Sequence, residues 1–401
     1  MDSGEAFQSA LLRNGELNFA AKRSLLLRLI RAAQPITRTE IAERLKIDKS
    51  TVTDNVKPLI ERGILREDLL DSAGPQKRQP RVISFAGHSD LFIGINLGVR
   101  HSQVGVTKLS GEVTDEAEFE TPTDPNLALR LVSEKIASIR KAHSDKPIQL
   151  VGVSVPGVAD ARRRELIYAP NLGWRNIAIA DVLEKFAEAP VIVDNDSTAA
   201  AMFEARMKIS ETADGSASNF VLVRSGTGIG VGMVIGGAVY RGTGAGRGIA
   251  GEFGHMTIVA GGKQCVCGNR GCWERYASAA SAASLYLGDR PLRPGHALPR
   301  FIEIVAKAEN GEVRSQRTLE RIGDYLGIGI ANVIMGTGVP RVIISGRLVY
   351  GWKFIVEPLK DAIRRSIVGN IDGWSVEPGS PSGSALGGAL EVAVEEYLNA
   401  I

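Results

Sequence analysis

The strongest chemistry in this chain lies in one run, GHMTIVAGGKQCVCGNRGCWERYAS at 254–278, which holds His255, Cys265, Cys267 and Cys272 and therefore every cysteine of the protein. Three thiolates and one imidazole complete a tetrahedral zinc shell. The glycines between them, Gly261, Gly262, Gly268 and Gly271, let a short loop fold around a single ion. With four protein ligands no position is left for a catalytic water, so the expected role is structural. The alternative is three ordinary buried cysteines. A disulfide framework is disfavoured by their odd number and by the lack of a secretory pattern.

A second candidate chemistry lies at the N-terminus. Residues 1–88 carry 15 Lys and Arg against 11 Asp and Glu, while the remainder carries 33 against 34, so the whole net charge of +3 masks a basic excess at one end. Such an excess fits contact with phosphate backbone, although a solvated helical face produces the same imbalance. Leu25, Leu26, Leu29 and Ile30 recur at helical spacing within 18–34, and Pro35 ends that helix. Thr37 with Glu40 forms a capping box for a second, short helix. Asp48 is placed to cap a third, with Val52, Val56, Leu59 and Ile60 on its apolar face and Gly63 as its stop. Pro58 removes a helical hydrogen bond at a cost of about 3 kcal/mol, which predicts a kink or an early end.

Lys49, Ser50, Thr51, Thr53, Asp54 and Lys57 lie off the apolar stripe of the third helix, where a recognition helix meets base edges and phosphates. Beyond it, a strand beginning at Ile64 and Leu65, a basic turn at 74–78 with Lys77 and Arg78, and an alternating strand at 81–85 read as a wing. A helix trio followed by a basic-tipped hairpin resembles the winged helix-turn-helix of bacterial regulators. A small helical interaction domain is the competing reading.

From Leu91 onward short apolar strands alternate with glycine turns and longer helices, an α/β pattern. Strands are expected at 92–97, 103–109, 111–119 and 150–155, with a helix at 126–143. The longest uncharged runs, 225–240 and 325–340, are glycine-interrupted and shorter than the roughly 20 apolar residues of a spanning helix. No membrane segment is expected, and the charges throughout residues 1–31 point to a cytoplasmic location.

The 251–278 stretch closely resembles the signature of the ROK family of repressors, open reading frames and kinases. The likeness extends to VPGV at 155–158, APNLGW at 169–174, VDNDSTAAA at 193–201, GTGIGVG at 226–232 and VIISGRL at 342–348. It covers nearly the whole chain and, with the winged module, looks like the repressor branch related to xylose and N-acetylglucosamine regulators. The resemblance implies a winged helix-turn-helix at 1–88 and, at 89–401, a two-lobed ribonuclease-H-like body of actin/hexokinase type with a zinc loop. One lobe would span about 89–200 plus a C-terminal helix at about 388–401, and the other about 201–387.

It also implies that Asn171, Asn195, Asp196, Glu252, His255 and Glu274 contact a sugar, with Pro156 and Gly157 shaping a neighbouring turn. His255 would serve twice, one ring nitrogen on zinc and the other facing a sugar hydroxyl. Asp196 stands where the kinases keep their base, but the family's first phosphate motif is degenerate, reading Asn96, Leu97, Gly98, Val99, Arg100 with Asn in place of Asp. The glycine run 226–232 fits either a phosphate cradle or a tight hairpin, and Ser345 with Gly346 replaces the paired glycines of the adenosine region.

The expectation is therefore a sugar-responsive regulator without useful kinase activity, a repressor of carbohydrate-metabolism genes released by a sugar effector, binding double-stranded operator DNA as a homodimer or homotetramer. The alternatives are a sugar kinase carrying a DNA module and a constitutive DNA-binding protein whose body only dimerises.

Overall fold

The computed structural model describes residues 19–69, 80–86, 90–109, 111, 113–211, 219–243, 248–288 and 297–401. Three helices open it: α1 (Phe19–Ala33), α2 (Arg38–Leu45) and α3 (Lys49–Glu61). The capping box at α2 forms as the sequence anticipates, with Glu40 N–H donating to Thr37 Oγ1 at 3.2 Å and Thr37 N–H donating to the Glu40 carboxylate at 2.8 Å. At α3 the side-chain cap and the early end do not occur. Asp48 occupies the N-cap position, but its side chain makes no capping hydrogen bond. The helix also runs through Pro58 to Glu61 instead of ending there. Val52, Val56 and Leu59 are fully buried on either side of the proline. Each such burial stabilises by roughly 1.5–3 kcal/mol, which together outweighs the proline's cost.

The wing strands β2 (Leu65–Leu69) and β3 (Arg81–Phe85) pair antiparallel. The two-residue strand β1 (Ile36–Thr37) pairs with the other edge of β3, an addition that the hydrophobic pattern did not signal. The basic turn with Lys77 and Arg78 lies outside the described residues.

The body contains two five-stranded sheets of the same topology. The first is built from β4 (Leu91–Leu97), β5 (His101–Thr107), β6 (Val113–Glu120), β7 (Ile148–Val155) and, after the three-stranded meander β8 (Val158–Ala159), β9 (Leu166–Ala169) and β10 (Trp174–Ile177), β11 (Val191–Asn195). Its order is β11-β7-β4-β5-β6: an antiparallel meander of three, then two strands parallel to the first. Every residue of β4 is buried, as the centre of a covered sheet requires. Helices α4 (Pro125–Ala142) and α5 (Ile179–Ala187) pack into the core of this lobe.

Helix α6 (Asp196–Glu211) leads to the second sheet, made of β12 (Phe220–Ser225), β13 (Ile229–Ile235), β14 (Ala238–Tyr240), β15 (Arg341–Gly346) and β16 (Ser375–Pro378), in the order β14-β13-β12-β15-β16. Again three antiparallel strands are followed by two parallel ones. Between β14 and β15 lie the zinc-loop segment and helices α7 (Glu274–Ala277), α8 (Ser281–Leu287), α9 (Phe301–Glu309) and α10 (Val313–Thr337), and between β15 and β16 lies α11 (Trp352–Arg364).

The last helix, α12 (Ser384–Ala400), returns to the first sheet and packs on β4, β7 and α6. It lies so close that a Cβ on Gly152 of β7 would sit 2.2 Å from the Ala389 carbonyl oxygen. Its outer side meets the N-terminal module. Leu26, Leu29 and Ile30 of α1 share one buried cluster with Ala393, Val394 and Leu398 of α12 and with Phe92 and Leu150 of the first sheet. The N-terminal module is thus fused to the body through continuous core. Among the described residues no helix is long and apolar enough to cross a membrane.

Candidate functional site

The carboxyl ends of β7, β11 and β12 and the amino ends of α6 and α12 converge on a cleft of 380 Å³ between the two sheets. Ligands of open α/β sheets sit at such strand ends. Asn195, the last residue of β11, ties the cleft together. Its Oδ1 accepts the N–H groups of Ser197 and Thr198 at 2.8 and 3.1 Å, capping α6. Its Nδ2 donates to the Gly157 carbonyl at 3.0 Å and reaches Glu252 Oε1 at 3.5 Å. Asn171, Asn195, Asp196, Glu252, His255 and Glu274 all line this one cleft, so the six positions implied by the family pattern come together.

Asp196 is not a free carboxylate. Arg224 of β12 donates from Nη1 to Asp196 Oδ2 at 2.7 Å, and Ser197 Oγ donates to Oδ1 at 3.1 Å. Burial, reinforced by the neighbouring carboxylates of Asp196 and Glu274, pushes Glu252 up to about 7. A carboxyl group there can donate as well as accept at neutral pH.

A short 3-10 turn at Glu252–His255 carries Glu252 into the cleft and His255 onto the cysteine loop. The side-chain ligand atoms of His255, Cys265, Cys267 and Cys272 lie within 4.8 Å of one another. Cys267 Sγ is 3.7 Å from Cys272 Sγ, and Cys265 Sγ is 3.6 Å from His255 Nδ1. Zinc–sulfur and zinc–nitrogen bonds of about 2.3 and 2.0–2.1 Å in a tetrahedron give S–S and S–N edges of about 3.8 and 3.6 Å, so the residues fit a metal ion. With Nδ1 turned to the sulfurs, Nε2 faces the cleft, 3.8 Å from Glu252 Oε2. Burial raises the thiols of Cys265 and Cys272, so a cation bound there displaces their protons. Glu274 closes the other side: it is buried, with Oε1 at 3.1 Å from Cys265 Sγ.

The glycine run 226–232 forms the β12–β13 hairpin, in which Gly228, Gly230 and Gly232 answer to packing, whereas a Cβ on Gly226 would meet nothing within 4 Å. A Cβ on Gly228 would come within 2.3 Å of Glu274 Oε2, and one on Gly230 within 1.9 Å of Ser197 Oγ. Close approach to the cleft residues therefore accounts for these glycines. Asn96, at the degenerate first motif, is buried and accepts from Ser154 Oγ at 3.0 Å.

The DNA-facing candidates lie on a separate surface. Lys49, Ser50, Thr53, Asp54 and Lys57 are exposed on α3, and Thr51 is half-buried, its carbonyl accepting from Asn55 Nδ2 at 2.8 Å. Sequence reasoning passes over Arg224, whose only signal is a lone charge inside the apolar strand FVLVRS. It also passes over Arg163 and Arg241, which clasp Asp194 beside Asn195 at 3.0 and 2.8 Å.

A family model described as ROK family matches residues 92–393, and one described as winged helix-turn-helix DNA-binding matches residues 21–66. A xylose repressor of Bacillus subtilis is 26% identical over 385 residues, covering 94% of this chain and 96% of that protein. A glucokinase of Streptomyces coelicolor is 30% identical over 295 residues, covering 70% of this chain and 89% of the enzyme. The crystal structure of a ROK family transcriptional regulator, a homologue of the E. coli Mlc protein, superposes with a TM-score of 0.74 at 21% identity, covering 95% of this chain and 96% of the other.

Proposed function

The chain belongs to the ROK family, and from that membership we propose a sugar-responsive transcriptional repressor of carbohydrate-metabolism genes, whose cleft binds the sugar and whose winged module binds double-stranded operator DNA. Likeness to the repressor runs through the module and the body alike, whereas likeness to the glucokinase covers the smaller share. Asn171, Asn195, Asp196, Glu252, His255 and Glu274 read the sugar's hydroxyls. Lys49, Ser50, Thr51, Thr53, Asp54 and Lys57, with Lys77 and Arg78 of the wing, contact DNA.

One observation carries the link between the two. On β11, Asn195 faces the cleft while its neighbour Asp194 is held by Arg163, and Arg163 also pairs with Glu396 of α12 at 2.5 Å. On the same helix, Glu395 and Glu391 pair with Arg28 and Arg31 of α1. A sugar that draws Asn195 and Glu252 together thereby pulls on the helix that seats the DNA module. It acts only through its different affinity for the two arrangements, for which a coupling of about 1–3 kcal/mol is the ordinary scale. In a homodimer or homotetramer this shift changes the spacing of the recognition helices.

Zinc held by His255, Cys265, Cys267 and Cys272 would supply a structural cross-link that fixes the ring of His255. Kinase activity is not part of the reading: the Arg224 guanidinium occupies the carboxylate that would take the sugar's proton, and Asn96 stands at the first phosphate motif. The test is thermal unfolding of the metal-loaded protein against free and phosphorylated sugars, followed by operator binding with the sugar that stabilises it. Stabilisation and operator release by the same sugar, both lost in Glu252→Ala, are expected. Sustained sugar-dependent ADP formation that disappears in Asp196→Ala would overturn the sensor in favour of a kinase.

A further inference from the structure

A second cavity, of 150 Å³, lies where the DNA-binding module meets the body, between α1, α6, α12 and the β13–β14 turn. It shares no lining residue with the cleft. Leu25, Leu29, Met202 and Val239 give it an apolar wall, and arginines dominate its polar side.

The charges around it do not balance. Arg28 pairs with Glu395 at 2.6 Å, and Arg31 and Arg206 share the single carboxylate of Glu391. Arg241 and Arg163 share Asp194, and Arg163 takes Glu396 as well. In this set the guanidinium groups outnumber the carboxylates, and Arg31 has only a shared carboxylate. Its side chain is 2% exposed; Nη1 is spent on Glu391, while Nε and Nη2 are buried without a hydrogen-bond partner. Those two N–H groups share one edge of the guanidinium plane, the edge that takes a carboxylate or phosphate side-on through two parallel hydrogen bonds. A buried cation with an idle fork is costly, and an oxyanion beside it removes both the unmet donors and the surplus charge.

We propose that this cavity is a second ligand site, for a small organic anion whose oxyanion head is gripped by Arg31 and whose apolar part lies against Leu25, Leu29 and Met202. Because α1 belongs to the DNA-binding module and α12 to the body, the occupant ties the two together and holds the docked arrangement, independently of the sugar.

The experiment is thermal unfolding of the full-length protein in sodium butyrate and in sodium phosphate, each against sodium chloride at equal ionic strength and pH. A saturable rise of roughly 2–4 °C with at least one of them is expected. Butyrate alone assigns a carboxylate ligand, and phosphate alone a phosphate ester. Arg31→Lys keeps a cation for Glu391 but lacks the side-on fork, and Ala205→Leu fills the cavity from α6 without touching a charge. Both should abolish the rise, read against each variant's own midpoint. A rise that survives in either variant overturns the proposal. So does the absence of any rise beyond that in chloride, which would show water to be the fork's partner.

Discussion

Replacing Asp194 with Asn tests the coupling route most directly. The side chain keeps its shape but loses the charge that Arg163 and Arg241 clasp at 3.0 and 2.8 Å, and the Asp194 carboxylate is only 6% exposed. Breaking a buried ion pair by removing one partner costs about 3–5 kcal/mol. Arg163 and Arg241 keep some contact with water, so the lower end, about 3 kcal/mol, is expected for Asp194→Asn in chemical denaturation followed by tryptophan fluorescence. The pH dependence has a definite sign. Burial raises the carboxyl, but Arg241 and Arg163 outweigh it and hold Asp194 below its ordinary value of 3.8. A folded-state value below the unfolded one means stability that is fully present above about pH 4 and is lost as pH falls through the lowered value. The variant should lack this acid-labile part and lie closer to wild type at low pH than at pH 7. In operator-binding titrations with and without sugar, the wild-type response on the scale of 5–150-fold should shrink toward about twofold, with sugar affinity retained. An Asp194→Asn protein of wild-type stability, or one with an undiminished sugar response, would refute the reasoning.

Three further outcomes follow from the same geometry. Chelation, or Cys272→Ser, should release metal measured by elemental analysis, lower the unfolding midpoint and weaken sugar binding, because His255 and Glu274 lose their anchor; sugar binding unaffected by metal loss would detach the loop from the cleft. Lys49→Ala combined with Arg78→Ala should weaken operator binding and reduce its salt slope by about 0.9 for each phosphate that is no longer neutralised, while Glu252→Ala blunts the sugar response and spares DNA affinity; a phenotype common to both variants would point to misfolding. Arg224→Ala should free the Asp196 carboxylate and change sugar affinity without altering operator affinity in the absence of sugar, and calorimetric titration beside operator binding separates the two effects.

The elements that the sequence made legible are those whose local signals agree with their tertiary setting. The Thr37–Glu40 capping box, the apolar stripe of α3 and the wing strands needed only spacing and turn chemistry. The cluster of His255, Cys265, Cys267 and Cys272 was legible because the chain has no cysteine elsewhere. The cleft residues were found through the family pattern, since Asn171, Asn195 and Glu274 are far apart in the chain and only the duplicated sheets bring them together. Two things escaped local reasoning. Pro58 is carried within α3 by flanking burial that no propensity reports. The ion pairs joining α12 to α1 and to Arg163 span more than 200 positions, and surface helices carry similar charges without such partners.

On the proposed reading, Arg224 explains how the cleft can keep residues able to read hydroxyls and still serve a sensor. A phosphoryl-transfer base has to accept a proton in the transition state, and here Arg224 already donates to Asp196 Oδ2. The same ion pair leaves a binding site usable, because Asp196 Oδ1 and the remaining lone pairs are still able to accept from a sugar hydroxyl. Selection for recognition without turnover would therefore tolerate arginine at 224 and asparagine at 96, and retain Asn195, which must cap α6 and hold Gly157 and Glu252 whether or not any bond is made or broken. On the proposed sensor reading no bond is made or broken, so closure of the cleft around a sugar acts elsewhere. In this fold its nearest outlet is α12, whose glutamates hold the arginines of α1.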